Sequence, residues 1–346
     1  MTLVYFLLIL GITIMVHEIG HFLAAKKAGI YVYEFALGMG PKLFSKKREN
    51  DETIYSIRLI PLGGYVQLAG EEIKADERIP INKRLQSKTW YERFFTIISG
   101  VAFNFIFALL LLFMIGLFWG VPNEAPIIND LEEGYPAYSS GLQKGDLILQ
   151  VNDRKIKTWD DILIELELSS QEKPMVITVK HPDDTIETYN ITLKKELINN
   201  REVYRLGIAI NNERTYGLIP ALKYTFTKTV SLIKTLFIVI INLFSGNLGI
   251  NKVSGPIGIY SIVGEQAKAG FDSVLYLMAF LSINVGFINL IPFPAFDGGR
   301  LLFLVIERII GRPVDAKIEN YLHTIGFYIL MALMLYIAFN DIIRLF

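Results

Sequence analysis

The chain contains no cysteine, so it can form no disulfide bond and can offer no thiolate to a metal. Any zinc site must therefore use histidine, aspartate or glutamate side chains. Net charge is absent too, because 34 basic residues balance 34 acidic ones. Residues 94–119, 274–296 and 321–340 contain no Asp, Glu, Lys or Arg. Each run is close to the roughly 20 residues that cross a hydrocarbon core of about 30 Å, so these runs predict membrane helices.

A fourth apolar run, residues 2–25, carries a single formal charge, that of Glu18. This residue lies between His17 and His21. Positions four apart share one helix face, so the two imidazoles can bind one zinc ion while Glu18 acts beside the metal as a base. Ionisable groups at this depth of a membrane are costly and usually functional, so the pattern indicates a metalloprotease site inside a membrane helix.

The residues around the first run bear on its identity and on its orientation. A cleaved signal peptide and a chance HExxH match in a membrane anchor are the alternatives to a membrane helix with a zinc site. The run lacks a basic start, however, and it is followed by Lys26 and Lys27. The positive-inside rule then places the N-terminus outside and residues 26–93 in the cytoplasm. The second span returns the chain outward, so residues 121–216 are expected to form an extracytoplasmic domain.

A catalytic zinc usually takes three protein ligands, so the sequence must supply one more. His181 lies in a polar stretch typical of a surface turn, and His323 begins the last span without an apparent partner. Asp297 is better placed, because it follows an apolar run that two prolines interrupt, and two glycines come directly after it. Irregular backbone at membrane depth needs protein or a water-filled cavity to satisfy it. A helix end capped by Asp297 is the structural alternative.

The chain resembles the bacterial branch of the site-2 protease family, which consists of intramembrane zinc metalloproteases. His17, Glu18 and His21 match the family's HExxH motif. Asp297 matches the second metal motif, Asn-x-x-Pro-x-Pro-x-x-Asp-Gly, although Phe296 replaces the usual Leu. The resemblance implies Zn²⁺ as cofactor, with His17, His21 and Asp297 as ligands and Glu18 as the catalytic base.

Weaker matches fall in the family's order. Residues 100–104 (Gly-Val-Ala-Phe-Asn) resemble a Gly-x-x-x-Asn element, for which a small-residue packing face is an equal alternative. Residues 61–66 resemble a membrane-associated β-hairpin that holds substrate in an extended form, and an ordinary surface hairpin is the alternative. The resemblance implies substrate-binding roles for the following residues: Gly63, Gly64, Tyr65 and Asn289. Helix packing is nearly as good an account of Asn289.

The segment 121–216 shows short alternating strands, and its turn at residues 141–146 resembles that of a PDZ domain. In the family such a domain restricts access to substrates already shortened by a first protease, whereas a passive spacer is the alternative. Residues 217–270 include an apolar run at 235–251. A full membrane crossing there would reverse the direction of the next span and place Asp297 on the opposite side of the membrane from His17 and His21. We therefore expect an amphipathic interfacial region with a turn at 254–258.

The expected fold class is a polytopic α-helical membrane protein with about four transmembrane helices, an inserted β-rich PDZ-like extracytoplasmic domain and a membrane-associated β-hairpin. The segments are as follows: helix 1 at 1–25, the cytoplasmic loop with the hairpin at 26–93, helix 2 at 94–119, the PDZ-like domain at 121–216, the interfacial region at 217–270, helix 3 with the Asp-Gly motif at 272–299, and helix 4 at 321–343.

The family implies a multi-pass protein of the bacterial cell membrane that cleaves single-span membrane proteins, such as anti-sigma factors or remnant signal peptides. The lipid bilayer is the expected partner besides the substrate, and no nucleic-acid partner is expected. The alternatives are an inactive adaptor that binds peptides through its PDZ-like domain, and a transporter. The sequence shows no inverted repeat, and a transporter would leave the HExxH motif unexplained.

Overall fold

The structure is a computed structural model that describes residues 1–71, 78–169, 173–198, 201–211, 213–250 and 253–343. Parts of the expected segments 26–93, 121–216 and 217–270 thus lie outside the described residues. The chain divides into two compact units. The first comprises Met1–Leu112 and Gly255–Ala338, and the second comprises Phe113–Ser254 and Phe339–Phe346.

The described residues form helices and strands that we number in chain order. The helices are α1 (Thr2–Lys27), α2 (Trp90–Phe118), α3 (Pro136–Ser140), α4 (Trp159–Leu168), α5 (Leu218–Phe244), α6 (Pro256–Ala269), α7 (Phe271–Leu290), α8 (Asp297–Ile310) and α9 (Ala316–Ile343). The strands are β1 (Val32–Lys47), β2 (Ile54–Leu68), β3 (Val121–Pro122), β4 (Asp130–Leu131), β5 (Leu147–Val151), β6 (Arg154–Lys155), β7 (Met175–Lys180), β8 (Ile186–Ile191), β9 (Lys194–Ile198), β10 (Arg201–Arg205), β11 (Ile208–Ala209) and β12 (Arg214–Thr215).

Among the described residues, five helices are long and apolar enough to cross a membrane, whereas the sequence predicted about four spans. The five are α1, α2, α5, α7 and α9. The additional one, α5, lies in the segment that was expected to be interfacial. Helix α5 meets the requirement for a membrane span by its length and its composition only.

The segment 272–299 is interrupted before Asp297, where the prolines of the sequence indicated a break. Helix α7 ends at Leu290, and Asp297 begins the separate helix α8. Pro292 and Pro294 have no N–H group to continue a helical ladder. Ala295 adopts φ 85°, a left-handed conformation that also ends a helix. The metal motif thus lies at a junction between two helices.

In the first unit, β1 and β2 form an antiparallel sheet in which both strands bend. Residues 35–37 of β1 pair on one side with 64–66 of β2 and on the other side with 55–57. The segment connecting the two strands is 48–53, so the Gly63–Gly64 pair is not the hairpin turn that the sequence predicted. It lies within β2, where Gly63 takes φ 91° and bends the strand. A hydrophobic cluster joins this sheet to α1 through Ala25, Val32 and Leu68.

A buried charge fixes the centre of this sheet. The Glu34 carboxylate accepts a hydrogen bond of 2.5 Å from Ser56 and ion-pairs with Arg58 at 2.9 Å and Lys42 at 3.0 Å. Burial raises the pKa of Glu34, but these hydrogen bonds outweigh burial and hold the pKa at about 2. Arg58 also donates to the hydroxyl of Tyr65, so the network orients the part of β2 that carries Tyr65.

The second unit contains a β-rich domain built on a four-stranded antiparallel sheet in the order β6-β5-β7-β8. Inward-facing residues alternate along its strands, as at Met175, Ile177 and Val179, each at most 2% exposed. They pack against Ile162 of α4 and Ile128. The alternating pattern read from the sequence therefore corresponds to one hydrophobic core.

The turn at residues 141–146 is held by a buried acid and a histidine. Asp146 is fully buried, and its Oδ1 atom lies 2.6 Å from Nδ1 of His181. Its other carboxylate oxygen accepts the N–H of Gln143 at 2.8 Å. His181, expected in a surface turn, is thus a structural partner of the turn at residues 141–146.

This pair predicts a pH-dependent stability. The hydrogen bond to Asp146 raises the pKa of His181, with the nearby Glu187 and Asp183 adding to the effect. A pKa raised in the folded state favours folding below the ordinary histidine pKa of about 6.5. That contribution is lost as the pH rises through the raised pKa. We expect His181→Gln to accelerate proteolysis of this domain more, relative to wild type, at pH 6 than at pH 9. An equal ratio at both pH values would contradict this account.

Helix α5 in the same unit has two contrasting faces. Lys228 is nearly buried and ion-pairs with Glu124 at 2.5 Å and Asp160 at 2.8 Å. Lys234 ion-pairs with Asp161 at 2.6 Å, and these two aspartates lie at the start of α4. Apolar side chains on other positions are exposed along the whole helix: Ile219, Phe226, Val230, Phe237 and Phe244. Polar contacts therefore fix α5 to the β-rich domain as far as Lys234, whereas the exposed apolar side chains have no such contacts among the described residues of the second unit.

Candidate metal centre

Three side chains of the first unit converge on one point. The four-residue spacing places His17 and His21 on one face of α1, with their Nε2 atoms 3.1 Å apart. Oδ2 of Asp297, at the start of α8, lies 3.1 Å from the first Nε2 atom and 3.2 Å from the second. Among the described residues this is the one group of three potential ligands that could hold a metal ion.

The triangle of ligand atoms fits zinc. Ligands about 2.0–2.1 Å from a tetrahedral zinc ion lie about 3.3–3.4 Å from one another, close to the three distances observed. Within the described residues, Oδ2 of Asp297 has no hydrogen-bond partner although it is buried. Asp297 is not a helix cap either, because the N-cap position of α8 is Phe296. A buried carboxylate oxygen that faces two imidazole nitrogens is accounted for by a shared cation.

Helix α2 supplies partners for the far side of both imidazole rings. The backbone oxygen of Thr96 accepts the Nδ1 proton of His21 at 2.9 Å. The side-chain nitrogen Nδ2 of Asn104, which is fully buried, lies 3.3 Å from Nδ1 of His17. Histidines that bind metal through Nε2 usually donate the other ring N–H, as His21 does to the backbone oxygen of Thr96, which fixes the tautomer and the ring orientation.

The close approach of α1 and α2 depends on Gly100. A Cβ atom at that position would lie 2.3 Å from Nε2 of His21 and 2.8 Å from Cε1 of His17. One at Gly20 would lie 2.4 Å from the backbone oxygen of Ser99. The residues 100–104 therefore combine two roles that the sequence left as alternatives. Their glycine allows close packing, and their asparagine contacts a histidine of the centre.

The loop before Asp297 is held by His323. The N–H of Ala295 donates to Nδ1 of His323 at 2.9 Å. A Cβ atom on Gly298 would lie 2.2 Å from the backbone oxygen of Ile291, so only glycine fits where α8 starts against the end of α7. His323 is not one of the three converging groups, and it has a partner, although the sequence suggested none. It contacts the backbone beside the centre.

The centre opens into a cavity of about 230 Å³ that is also lined by Glu18 and Tyr65. The position of Gly64 on β2 is close to Glu18, since a Cβ atom there would lie 3.6 Å from Cγ of Glu18. Gly63 lies next to it and faces Met39. Asn289 is half-buried in the last turn of α7, and the residues lining this cavity do not include it. The structure thus brings β2, but not Asn289, to the cavity that contains Glu18.

Sequence reasoning missed Thr96, Glu71 and Arg300, all of which line this cavity. Thr96 acts through its backbone oxygen, so no side-chain motif could reveal it. Glu71 and Arg300 are far apart in the chain yet ion-paired. The one feature of the sequence that could have indicated them is their position, because Glu71 follows the stretch 61–66 and Arg300 follows the Asp-Gly motif.

Known proteins resemble the chain over its whole length. A profile of peptidase family M50 matches residues 5–333. The chain is 32% identical to the regulator of sigma-W protease RasP of Bacillus subtilis, over 100% of this chain and 99% of that protein. It is 34% identical to a putative zinc metalloprotease of Clostridium perfringens, over 99% of each chain. It is 35% identical to a putative zinc metalloprotease of Fusobacterium nucleatum, over 100% of each.

These matches agree with the geometry of the centre and with the apolar helices. They confirm the resemblance stated from the HExxH and Asp-Gly motifs, and they confirm zinc as the cofactor. The chain therefore belongs to peptidase family M50, the site-2 protease family, and is a zinc metallopeptidase of the multi-pass membrane type.

Proposed function

We propose that the chain hydrolyses peptide bonds of single-span membrane proteins at the centre formed by His17, His21 and Asp297. The observation that carries this proposal is the triangle of ligand atoms, none more than 3.2 Å from another, in a cavity shared with Glu18. For the substrate class we propose an anti-sigma factor or a remnant signal peptide, and the name of the Bacillus subtilis relative, a regulator of sigma-W protease, favours a substrate connected with a sigma factor.

The roles of the residues follow from their positions. Zinc held by His17, His21 and Asp297 would activate water and polarise the scissile carbonyl. Glu18 lines the same cavity, where its carboxylate can accept a proton from the attacking water and pass it to the leaving amine. Thr96 and Asn104 hold the imidazole rings from behind, so that both Nε2 atoms point at one position.

Strand β2 is the proposed binding surface for the substrate backbone. A helical substrate hides its scissile carbonyl in backbone hydrogen bonds, so it must be unwound before cleavage. Residues 64–66 pair on one side with β1, and no strand among the described residues pairs with their other side. That edge passes Glu18 and offers hydrogen bonds to an extended peptide. Gly63, Gly64 and Tyr65 would therefore contact substrate, and Asn289 would act from outside the lining of this cavity.

We propose that the protein lies in the bacterial cell membrane with its N-terminus outside and its β-rich domain extracytoplasmic. The histidines lie toward the end of α1, and Asp297 follows the end of α7. Both helices must therefore run in the same direction. Helix α2 crosses the membrane in the opposite direction to α1. The segment between α2 and α7 must therefore cross the membrane an even number of times, or not at all.

The contacts of α5 support an even number of membrane crossings between α2 and α7. Lys228 and Lys234 bind acidic residues of the β-rich domain, which holds the first half of α5 outside the membrane. Residues 235–244 then rise only about 15 Å, half of the thickness of a hydrocarbon core. We therefore propose that α5 lies at the membrane interface with its exposed apolar side chains toward lipid.

Single-cysteine labelling tests this orientation, because the chain has no cysteine of its own. We expect an impermeant maleimide to label Glu187→Cys and Asn247→Cys on intact spheroplasts. It should label Lys46→Cys only after the membrane is permeabilised. All three positions are exposed. Labelling of position 247 only after permeabilisation would show that α5 crosses the membrane.

We further propose that the β-rich domain is PDZ-like and controls access of substrates, including those shortened by a first protease. The turn at residues 141–146 and the antiparallel sheet packed against α4 support this assignment. A domain that binds peptides and an enzyme that cleaves them are compatible in one chain. An inactive adaptor would bind peptides without cleavage.

Removing the metal separates these two functions. We expect the protein purified in detergent to bind about one zinc ion and to cleave a model single-span substrate. A chelator should abolish cleavage, and added Zn²⁺ should restore it. Peptide binding by the β-rich domain should survive chelation, because His181, the one histidine it contains, is paired with Asp146. Cleavage that is indifferent to the chelator, or absent throughout while peptide binding persists, would refute the protease assignment.

A further inference from the structure

Two cavities of the first unit share a wall. The cavity at the metal centre measures about 230 Å³, and a second cavity measures about 580 Å³. Four residues line both: Glu71, Leu85, Ile97 and Arg300. We refer to these four residues as the partition, because they separate the metal centre from the larger space.

The charged half of the partition links the two structural elements of the site. Glu71 and Arg300 form an ion pair. The second carboxylate oxygen of Glu71 accepts the N–H of Leu68, the last residue of β2, at 3.2 Å. Arg300 lies in the first turn of α8, which begins at Asp297. The pair therefore closes the space between the end of β2 and the helix that carries the metal motif.

The two halves of the partition differ in their freedom to move. Leu85 and Ile97 are 8% and 7% exposed and belong to packed hydrophobic clusters. The side chains of Glu71 and Arg300 are 20% and 39% exposed. Partly hydrated ion pairs between long side chains are weak and re-form readily. A passage between the cavities can thus open by parting the ion pair alone.

The second cavity is suited to a polar chain. Charged side chains of both signs line it, including Lys88, Arg93, Glu307 and Glu319. Its wall is braced by the ion pair of Arg93 with Glu307. A lipid tail or an apolar helix would offer no polar partner to Lys88 and Glu319, at a high cost. An extended polar peptide would satisfy them, and a volume of this size is enough for several side chains.

We propose that the Arg300–Glu71 ion pair is a gate that determines which substrates are cleaved. A peptide paired along β2 passes Glu18, reaches Leu68 and then meets this pair. The gate must part before the polar segment that flanks the substrate's membrane span can enter the second cavity. This inference rests on the proposed function, because it presupposes peptide cleavage beside Glu18. Substrates without such a flank would be cleaved without opening the gate.

The test compares two substrates with the same membrane span, one with long polar flanks and one with both flanks removed. For Glu71→Gln, we expect KM for the long substrate to fall about threefold to tenfold, because no free energy is spent on parting the pair. The values of kcat, bound zinc and KM for the short substrate should be unchanged. Glu52→Gln is the matched control, because it removes an ion pair with Lys26 outside both cavities.

A double-variant cycle identifies the pair as the cause. Adding Arg300→Gln to Glu71→Gln should lower KM no further, since the interaction is already lost. Three results would overturn the proposal that the pair is a gate: additive changes of KM in the double variant, equal changes of KM for both substrates, or loss of zinc in Glu71→Gln. Such results would mean that the pair only braces the centre. If the wild-type protein cleaves neither substrate, the proposed function fails. If it cleaves both and the variants do not distinguish them, only the gate fails.

Discussion

Replacing Glu18 by glutamine is expected to lower kcat by about 10²–10⁴-fold while leaving bound zinc close to the wild-type amount. Glutamine has nearly the shape of glutamate, so the packing of α1 against Gly64 should be kept. It cannot accept a proton from water, however. The three groups that converge on the metal position are His17, His21 and Asp297, and none of them is altered by the change.

The measurement combines metal analysis of the purified protein with the initial rate of cleavage of a single-span substrate. Asp297→Ala is the companion variant, because it removes one of the three converging ligands. It should lose both zinc and cleavage. A Glu18→Gln protein that cleaves at the wild-type rate would place the base elsewhere. One that loses zinc would assign Glu18 to metal binding instead.

The motif residues of this centre could be predicted because their geometry is local or their chemistry is distinctive. The spacing of His17 and His21 fixes their common face on any helix. Asp297 stood out as a carboxylate at a broken membrane helix, and the helix is indeed broken there. No element from elsewhere in the fold is needed to make these inferences.

The surroundings of the centre could not be predicted, because they depend on tertiary contacts. The hydrogen bond from His21 to Thr96 joins residues that are 75 positions apart and uses a backbone atom. The partners Glu71 and Arg300 are 229 positions apart. Neither relation leaves a periodic signal in the sequence.

Helix α5 shows how composition and contacts can lead to different conclusions. Its hydropathy and its length are those of a membrane span. The ion pairs of Lys228 and Lys234 hold its first half on the β-rich domain, and no composition scale contains that information. The interfacial placement proposed above therefore rests on two side-chain contacts and on the parity of the spans. The labelling of position 247 tests it directly.

Replacing Gly100 by alanine is expected to abolish both zinc binding and cleavage. The added methyl group would lie 2.3 Å from Nε2 of His21 and 2.8 Å from Cε1 of His17. It would therefore occupy the space in which the ligand atoms meet. To relieve the clash, α1 must move away from α2 or both imidazoles must rotate. Either change breaks the hydrogen bonds to Thr96 and Asn104.

Helix propensity alone predicts that Gly100→Ala stabilises the protein, so a loss of zinc and activity can be assigned to the clash with the histidines. Alanine is favoured over glycine inside a helix by about 1 kcal/mol, so Gly100→Ala should stabilise α2 if the close approach had no role. Gly11→Ala in α1 is the matched control, because the nearest atom to its Cβ would be 3.4 Å away. The control should keep zinc and activity. Zinc retention and full cleavage in Gly100→Ala would show that the helices separate freely, and the centre would then not depend on the packing of α1 against α2.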